Sequence, residues 1–263
     1  MALRLCKLAA VADQDAYRQI WETEAAADHV RSAIAAGGEE TLEALTSKVT
    51  PVWETLPAGS HFGTILDLGC GYGRIALHLG LNRGITTDRY VGADISENML
   101  GHLAAYRDRL GLWPDARFEP VRTSIDELPL EDGSVDLAVS SAVFLHMGDR
   151  FVRGALAEVA RVLRPDGRFV FEASFPNRHN PGNLPWVLAG SLGERRPNQV
   201  KFRSRGDVER LLRASGLAAK FRYAIEPATY ALLPKGLVPG ARRVNALVAG
   251  HPRFADSFNV RSV

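Results

Sequence analysis

The chain is 263 residues long and 46% hydrophobic, enough for one sizeable core with room for insertions, and no apolar run approaches the ~20 residues of a transmembrane helix. Two cysteines, Cys6 and Cys70, are too few for a disulfide framework or a zinc site, so a reducing cytoplasm is the expected compartment. The formal net charge is only +2, but residues 1–177 carry 17 basic and 25 acidic side chains whereas residues 178–263 carry 15 and 5, which marks either a solvated face or an anionic partner.

The first dozen residues are apolar but interrupted by Arg4 and Lys7, which fits an amphipathic or disordered start better than a signal peptide. Residues 12–36 follow a helical pattern in which Tyr17, Ile20, Trp21, Ala25, Val30 and Ile34 recur mostly every three to five positions, and Gly37-Gly38 ends it. A second helix is expected over about 39–55, with Leu42, Leu45 and Val49 as its apolar stripe.

The most informative stretch comes next. Residues 64–68 form a short apolar run suited to a buried strand, and Gly69, Gly71 and Gly73 follow at alternate positions before a helical pattern opened by Arg74. Glycines placed so closely remove the Cβ atoms that would hold a ligand off the backbone. A second buried-strand pattern then ends in Asp94, about twenty residues beyond the loop, where an acid in a Rossmann-like unit accepts hydrogen bonds from a ribose diol. A dinucleotide fingerprint would require glycine at position 74, where Arg74 stands, so a pyrophosphate site and an NAD-linked oxidoreductase are disfavoured.

A helix is expected over 96–110, with Ser96 as N-cap, Glu97 in the first turn and Gly111 as stop; it places Ile95 and Met99 beside Asp94. Strands are expected over 116–122, 135–140 and 168–173, with a helix over 150–163 and a turn at Arg164-Pro165-Asp166-Gly167. Residues 141–147 then stand at a strand's C-terminal end, where ligands bind in open α/β sheets, and His146 is the residue there best suited to take a proton from a hydroxyl or amine.

Asp67-x-Gly69-x-Gly71-x-Gly73 with Asp94, followed by Ile125-Asp126-Glu127-Leu128-Pro129, the run from Ser134 to Ser141 and the run from Glu158 to Arg168, resembles class I S-adenosylmethionine-dependent methyltransferases over about residues 60–175. The resemblance implies an α/β fold: a three-layer, Rossmann-like, seven-stranded and mostly parallel sheet with N-terminal helices and insertions at its C-terminal edge. It implies S-adenosylmethionine as cofactor, bound by Asp67, Gly69, Cys70, Gly71, Arg74, Asp94, Ile95, Met99, Ser124, Ile125, Ser140 and Ser141. Ser124 is a departure, since the family commonly has an aspartate there for the adenine amino group. His146 is the candidate base, and Tyr17, Trp21, Phe144 and Trp186 are the candidate substrate contacts. No metal is expected.

Beyond residue 175 the pattern breaks. Four prolines, Trp186 and a basic run over 175–203 read as an insertion over the sheet edge, where loops carry specificity. A capped helix over 204–214 and a sixth strand over 217–225 follow, and the seventh strand falls at 229–233 or, preferably, at 258–261. The expected organisation is one domain, 1–263: a helical cap over 1–58, a cofactor-binding core over 59–175, and insertions over 176–203 and 234–255. The expected function is methyl transfer to an O, N or C nucleophile of a small, natural-product-like or anionic molecule by a monomer or homodimer, without a membrane or nucleic-acid partner. An RNA or protein methyltransferase using the basic C-terminal third and a non-catalytic cofactor-binding protein are the alternatives.

Overall fold

A computed structural model describes residues 41–46, 49, 51–172, 201–224 and 257–262. The helix expected over 12–36, Tyr17, Trp21, Trp186, and the insertions over 234–255 and all but the last residues of 176–203 lie outside these described residues. The helix expected over 39–55 is two pieces: helix α1, Leu42–Thr46, and a 3₁₀ turn, Pro51–Thr55. Pro51, which lacks a backbone N–H, suits the first position of the second piece.

The chain then alternates strand and helix. Strand β1 (His61–Leu68) leads to α2 (Arg74–Leu77), continued by a π turn (His78–Asn82), then β2 (Thr86–Asp94) and α3 (Glu97–Leu110). Strands β3 (Arg117–Arg122) and β4 (Val135–Ser141) follow, then a 3₁₀ turn (Phe144–His146), α4 (Asp149–Val162) and β5 (Leu163–Glu172). The chain resumes with α5 (Arg205–Ala214), β6 (Ala219–Ala224) and β7 (Ser257–Ser262). Among the described residues these strands make one seven-stranded sheet of order β3-β2-β1-β4-β5-β7-β6. Strands β1 to β5 pair in parallel, and β7 runs antiparallel to both β5 and β6. The seventh strand thus lies at the preferred of its two expected places. β5 begins earlier than expected, yet Val135 pairs with Leu163 and Leu137 with Arg168, so the expected turn at 164–167 survives as a bulge.

Local chemistry explains the helix ends. Ser96 Oγ accepts from the Met99 N–H at 3.2 Å, and α3 stops at Gly111, whose φ of 67° is the left-handed conformation glycine adopts freely. Ser204 and Asp207 form a reciprocal capping box at the start of α5. Alternation along the strands sends Ile65, Tyr90 and Val170 to one face, against α1 to α3, and Leu66, Val91, Phe169 and Phe171 to the other, against α4 and α5. The result is three layers with two apolar cores.

Candidate functional site

The C-terminal edge of the sheet collects the polar residues. After β1, the N–H groups of Gly69 and Cys70 both donate to Ala93 O, at 2.7 and 3.2 Å, which turns the loop toward β2. A Cβ at Gly69 would stand 2.4 Å from Val143 Cγ2, and one at Gly73 2.4 Å from Leu103 Cδ1, so packing demands glycine at both positions. Gly71 differs. Its φ is 53°, a strained value for side-chain-bearing residues, and nothing lies within 4 Å of where its Cβ would be. That open side is where a ligand can meet bare backbone.

Two carboxylates flank this opening. Asp94, 9% exposed, accepts from Gly71 N–H at 2.8 Å through Oδ2 and from Ser96 N–H at 2.9 Å through Oδ1. It braces the loop to the start of α3. Asp67, at the end of β1, is 1% exposed and accepts from Tyr90 Oη at 3.1 Å. Burial pushes its pKa up to about 7; the Tyr90 bond and Arg74 oppose the rise, and Asp94 adds to it. Cys70 is buried beneath the loop, and burial raises its thiol pKa further from neutrality, which is the behaviour of a packing residue.

On the adenine side of the expected arrangement, Met99 and Ile125 are buried, and Ile95 is half-buried beside Asp94. Ser124 Oγ donates to the Asp126 carboxylate, so an acid stands two residues from the position where the resemblance calls for one.

After β4 the edge is built differently. Ser140 is fully buried and donates to Leu68 O at 3.1 Å, so its side chain ties β4 to β1. Ser141 Oγ accepts from Arg74 and donates to Glu172 Oε1 at 2.8 Å, and Arg74 lies 3.7 Å from the same carboxylate. Phe144, a candidate substrate contact, is fully buried and packs edge-to-face on Phe169 and Phe171. His146, at the end of the 3₁₀ turn, is half-buried. Arg203, 4% exposed, grips this loop from afar: it donates to Phe144 O at 3.2 Å, to Met147 O and to Asp149 Oδ1 at 3.0 Å. Lys201 N–H adds a bond to Leu145 O at 2.6 Å.

Tyr90, Glu172 and Arg203 went unnoticed in the sequence. A carboxylate ending the apolar run Phe169-Val170-Phe171 was a visible signal for Glu172; nothing local distinguishes Arg203.

With that geometry in view, the relatives are informative. A methyltransferase domain model matches residues 66–171, from β1 to the end of β5. Malonyl-[acyl-carrier protein] O-methyltransferase of Methylococcus capsulatus is 32% identical over 206 residues, covering 73% of this chain and 69% of its own. The chain belongs to the class I S-adenosylmethionine-dependent methyltransferase family. Dimethylglycine N-methyltransferase of Parasynechococcus marenigrum is 33% identical over 172 residues, 59% of this chain and 52% of its own; the chain spans about half the length of the first curated relatives it matches. Magnesium protoporphyrin IX methyltransferase from Synechocystis, solved with bound SAH, shares the fold with a TM-score of 0.60 at 15% identity, over 95% of this chain and 99% of that one. The cofactor of this family is S-adenosylmethionine. Among the described residues no helix is long and apolar enough to cross a membrane.

Proposed function

We propose that this protein transfers the methyl group of S-adenosylmethionine to an O, N or C nucleophile of a small molecule. The observation that carries the reading is the open backbone at Gly71, whose N–H Asp94 accepts at 2.8 Å, at the same sheet edge as Asp67 and the post-β4 loop. The chemistry suits the cofactor: a carboxylate for the ribose diol at Asp94, a buried carboxylate for the cationic amino-acid end at Asp67, and apolar Ile95, Met99 and Ile125 for the adenine.

When bound, the cofactor supplies an electrophilic methyl on a sulfonium centre. The chain's own task is to bind, align and exclude water, and alignment alone is worth up to roughly 7–11 kcal/mol of a barrier. In this reading His146, on the loop after β4, is the group that accepts the proton the nucleophile loses. Arg203 holds that loop to the start of α4 through Asp149.

A small acceptor is supported by relatives named for dimethylglycine and for 2-phytyl-1,4-naphtoquinone, the latter 32% identical over 120 residues. The 15 basic against 5 acidic residues over 178–263 favour an anionic acceptor, with RNA as the competing reading. Incubation of metabolite extracts and of total RNA with labelled methyl donor separates them. Label in a small organic-soluble or acidic metabolite supports the proposal; label confined to RNA, with binding that weakens steeply in salt, replaces it.

A further inference from the structure

Tyr90 lies inside β2, four residues before Asp94, and its ring is fully buried. Trp113 packs on it at a centroid distance of 5.2 Å, tilted by 42°, and Phe118 stacks at 5.6 Å with an interplanar angle of 8°. Phenylalanine would fill so apolar a site without burying a hydroxyl, which is costly to bury unless it finds a partner. The partner is Asp67 Oδ2, 3.1 Å away on the neighbouring strand.

The register makes this contact possible. Asp67 pairs with Gly92, and Ile65 with Tyr90, so the hydroxyl reaches the carboxylate diagonally across the face of Gly92. A Cβ on Gly92 would stand 3.1 Å from Tyr90 Cε1, 3.2 Å from Cys70 Sγ and 2.8 Å from Leu103 Cδ2, closing that passage. The bond engages one carboxylate oxygen and leaves Oδ1 the capacity to accept from a second donor. The charged and titratable groups around Asp67 are Tyr90 and Asp94 from β2, Cys70 from the glycine loop and Arg74 from α2.

We propose that Tyr90 is a positioning residue for the cofactor: its hydroxyl fixes the Asp67 carboxylate at the base of the glycine loop, turned to receive the ammonium of the cofactor's amino-acid end. The proposal rests on the reading that this loop binds S-adenosylmethionine. A hydrogen bond donated to the carboxylate favours its ionised form, which is the form an ammonium needs, so the pair ties geometry to charge.

The test is calorimetric titration of wild type, Tyr90→Phe and Asp67→Asn between about pH 5.5 and 7.5, below the titration of an α-amino group. The probes are S-adenosylmethionine, S-adenosylhomocysteine and 5′-methylthioadenosine, which lacks the amino-acid end. For the first two, wild-type affinity rises with pH as Asp67 ionises. Tyr90→Phe weakens both by about three- to tenfold near neutral pH and moves the rise to higher pH, whereas Asp67→Asn binds weakly with little pH dependence. 5′-Methylthioadenosine binds all three proteins alike. A Tyr90→Phe profile superimposable on wild type, or an equal loss for 5′-methylthioadenosine, makes Tyr90 a packing residue and overturns the proposal alone. Failure of wild type to bind any of the three overturns the cofactor reading as well.

Discussion

The loop after β1 and the loop after β4 leave the same edge of the same sheet, but they are held by opposite means. The first is shaped by its own backbone: Gly69 and Gly73 give way to Val143 and Leu103, and Gly71 hands its N–H to Asp94. The second is held by side chains from distant elements, Arg74 from α2, Glu172 from β5 and Arg203 from just before α5. A ligand met by main chain constrains few residues and requires glycine; a loop gripped by remote side chains can be remodelled while the first stays intact. That division suits a constant cofactor on one side and a variable acceptor on the other.

The division can be broken from either side. Asp94→Ala removes the acceptor of both Gly71 and Ser96 N–H groups as well as the proposed diol contact, and is expected to lower cofactor affinity by about a hundredfold by calorimetry. On the other side, His146→Ala lowers turnover by about a hundredfold with cofactor affinity within about twofold, as expected for a lost general base. Arg203→Met removes a buried donor shared by Phe144 O, Met147 O and Asp149, which costs about 2–3 kcal/mol in denaturant unfolding. Turnover falls with it while cofactor affinity stays near wild type; equal losses in both would show that the two loops act as one. Gly71→Ala is milder, destabilising by about 1–2 kcal/mol for its positive φ, and its Cβ enters the open side, so affinity falls more than stability implies.

Asp67 sharpens the contrast through pH. Its folded pKa of about 7 lies above that of an exposed aspartate, so the protonated form stabilises the fold at low pH and that stability is lost as pH rises through 7. Asp67→Asn therefore unfolds later than wild type at pH 8 and about equally at pH 4, while binding cofactor weakly. A stability difference that shrinks as pH rises would contradict the buried, ligand-seeking carboxylate.

What could be read from the sequence follows the same line. The glycine loop, Asp94, the Ser96 cap, the Gly111 stop and the Ser204–Asp207 capping box are short-range chemistry, spelled out within a few residues, and they stand where the sequence placed them. The seven-stranded sheet was implied by the family resemblance, and alternation favoured the later of two places for its last strand, near residue 258. Side-chain direction at the edge was not. Phe144 and Ser140 turned inward because the post-β4 loop is folded by Phe169, Phe171 and Leu68, and the Tyr90–Asp67 bond depends on a diagonal across paired strands. Arg203 reaches Phe144 from 59 positions away, beyond any local pattern.

The most direct test of the account is a titration of the purified protein and of Asp94→Ala with S-adenosylmethionine and S-adenosylhomocysteine, with NAD as control. The account predicts micromolar binding of both sulfur ligands by the wild type, none of NAD, and about a hundredfold loss in the variant. Binding of NAD instead, or binding of S-adenosylmethionine that Asp94→Ala leaves unchanged, would contradict it.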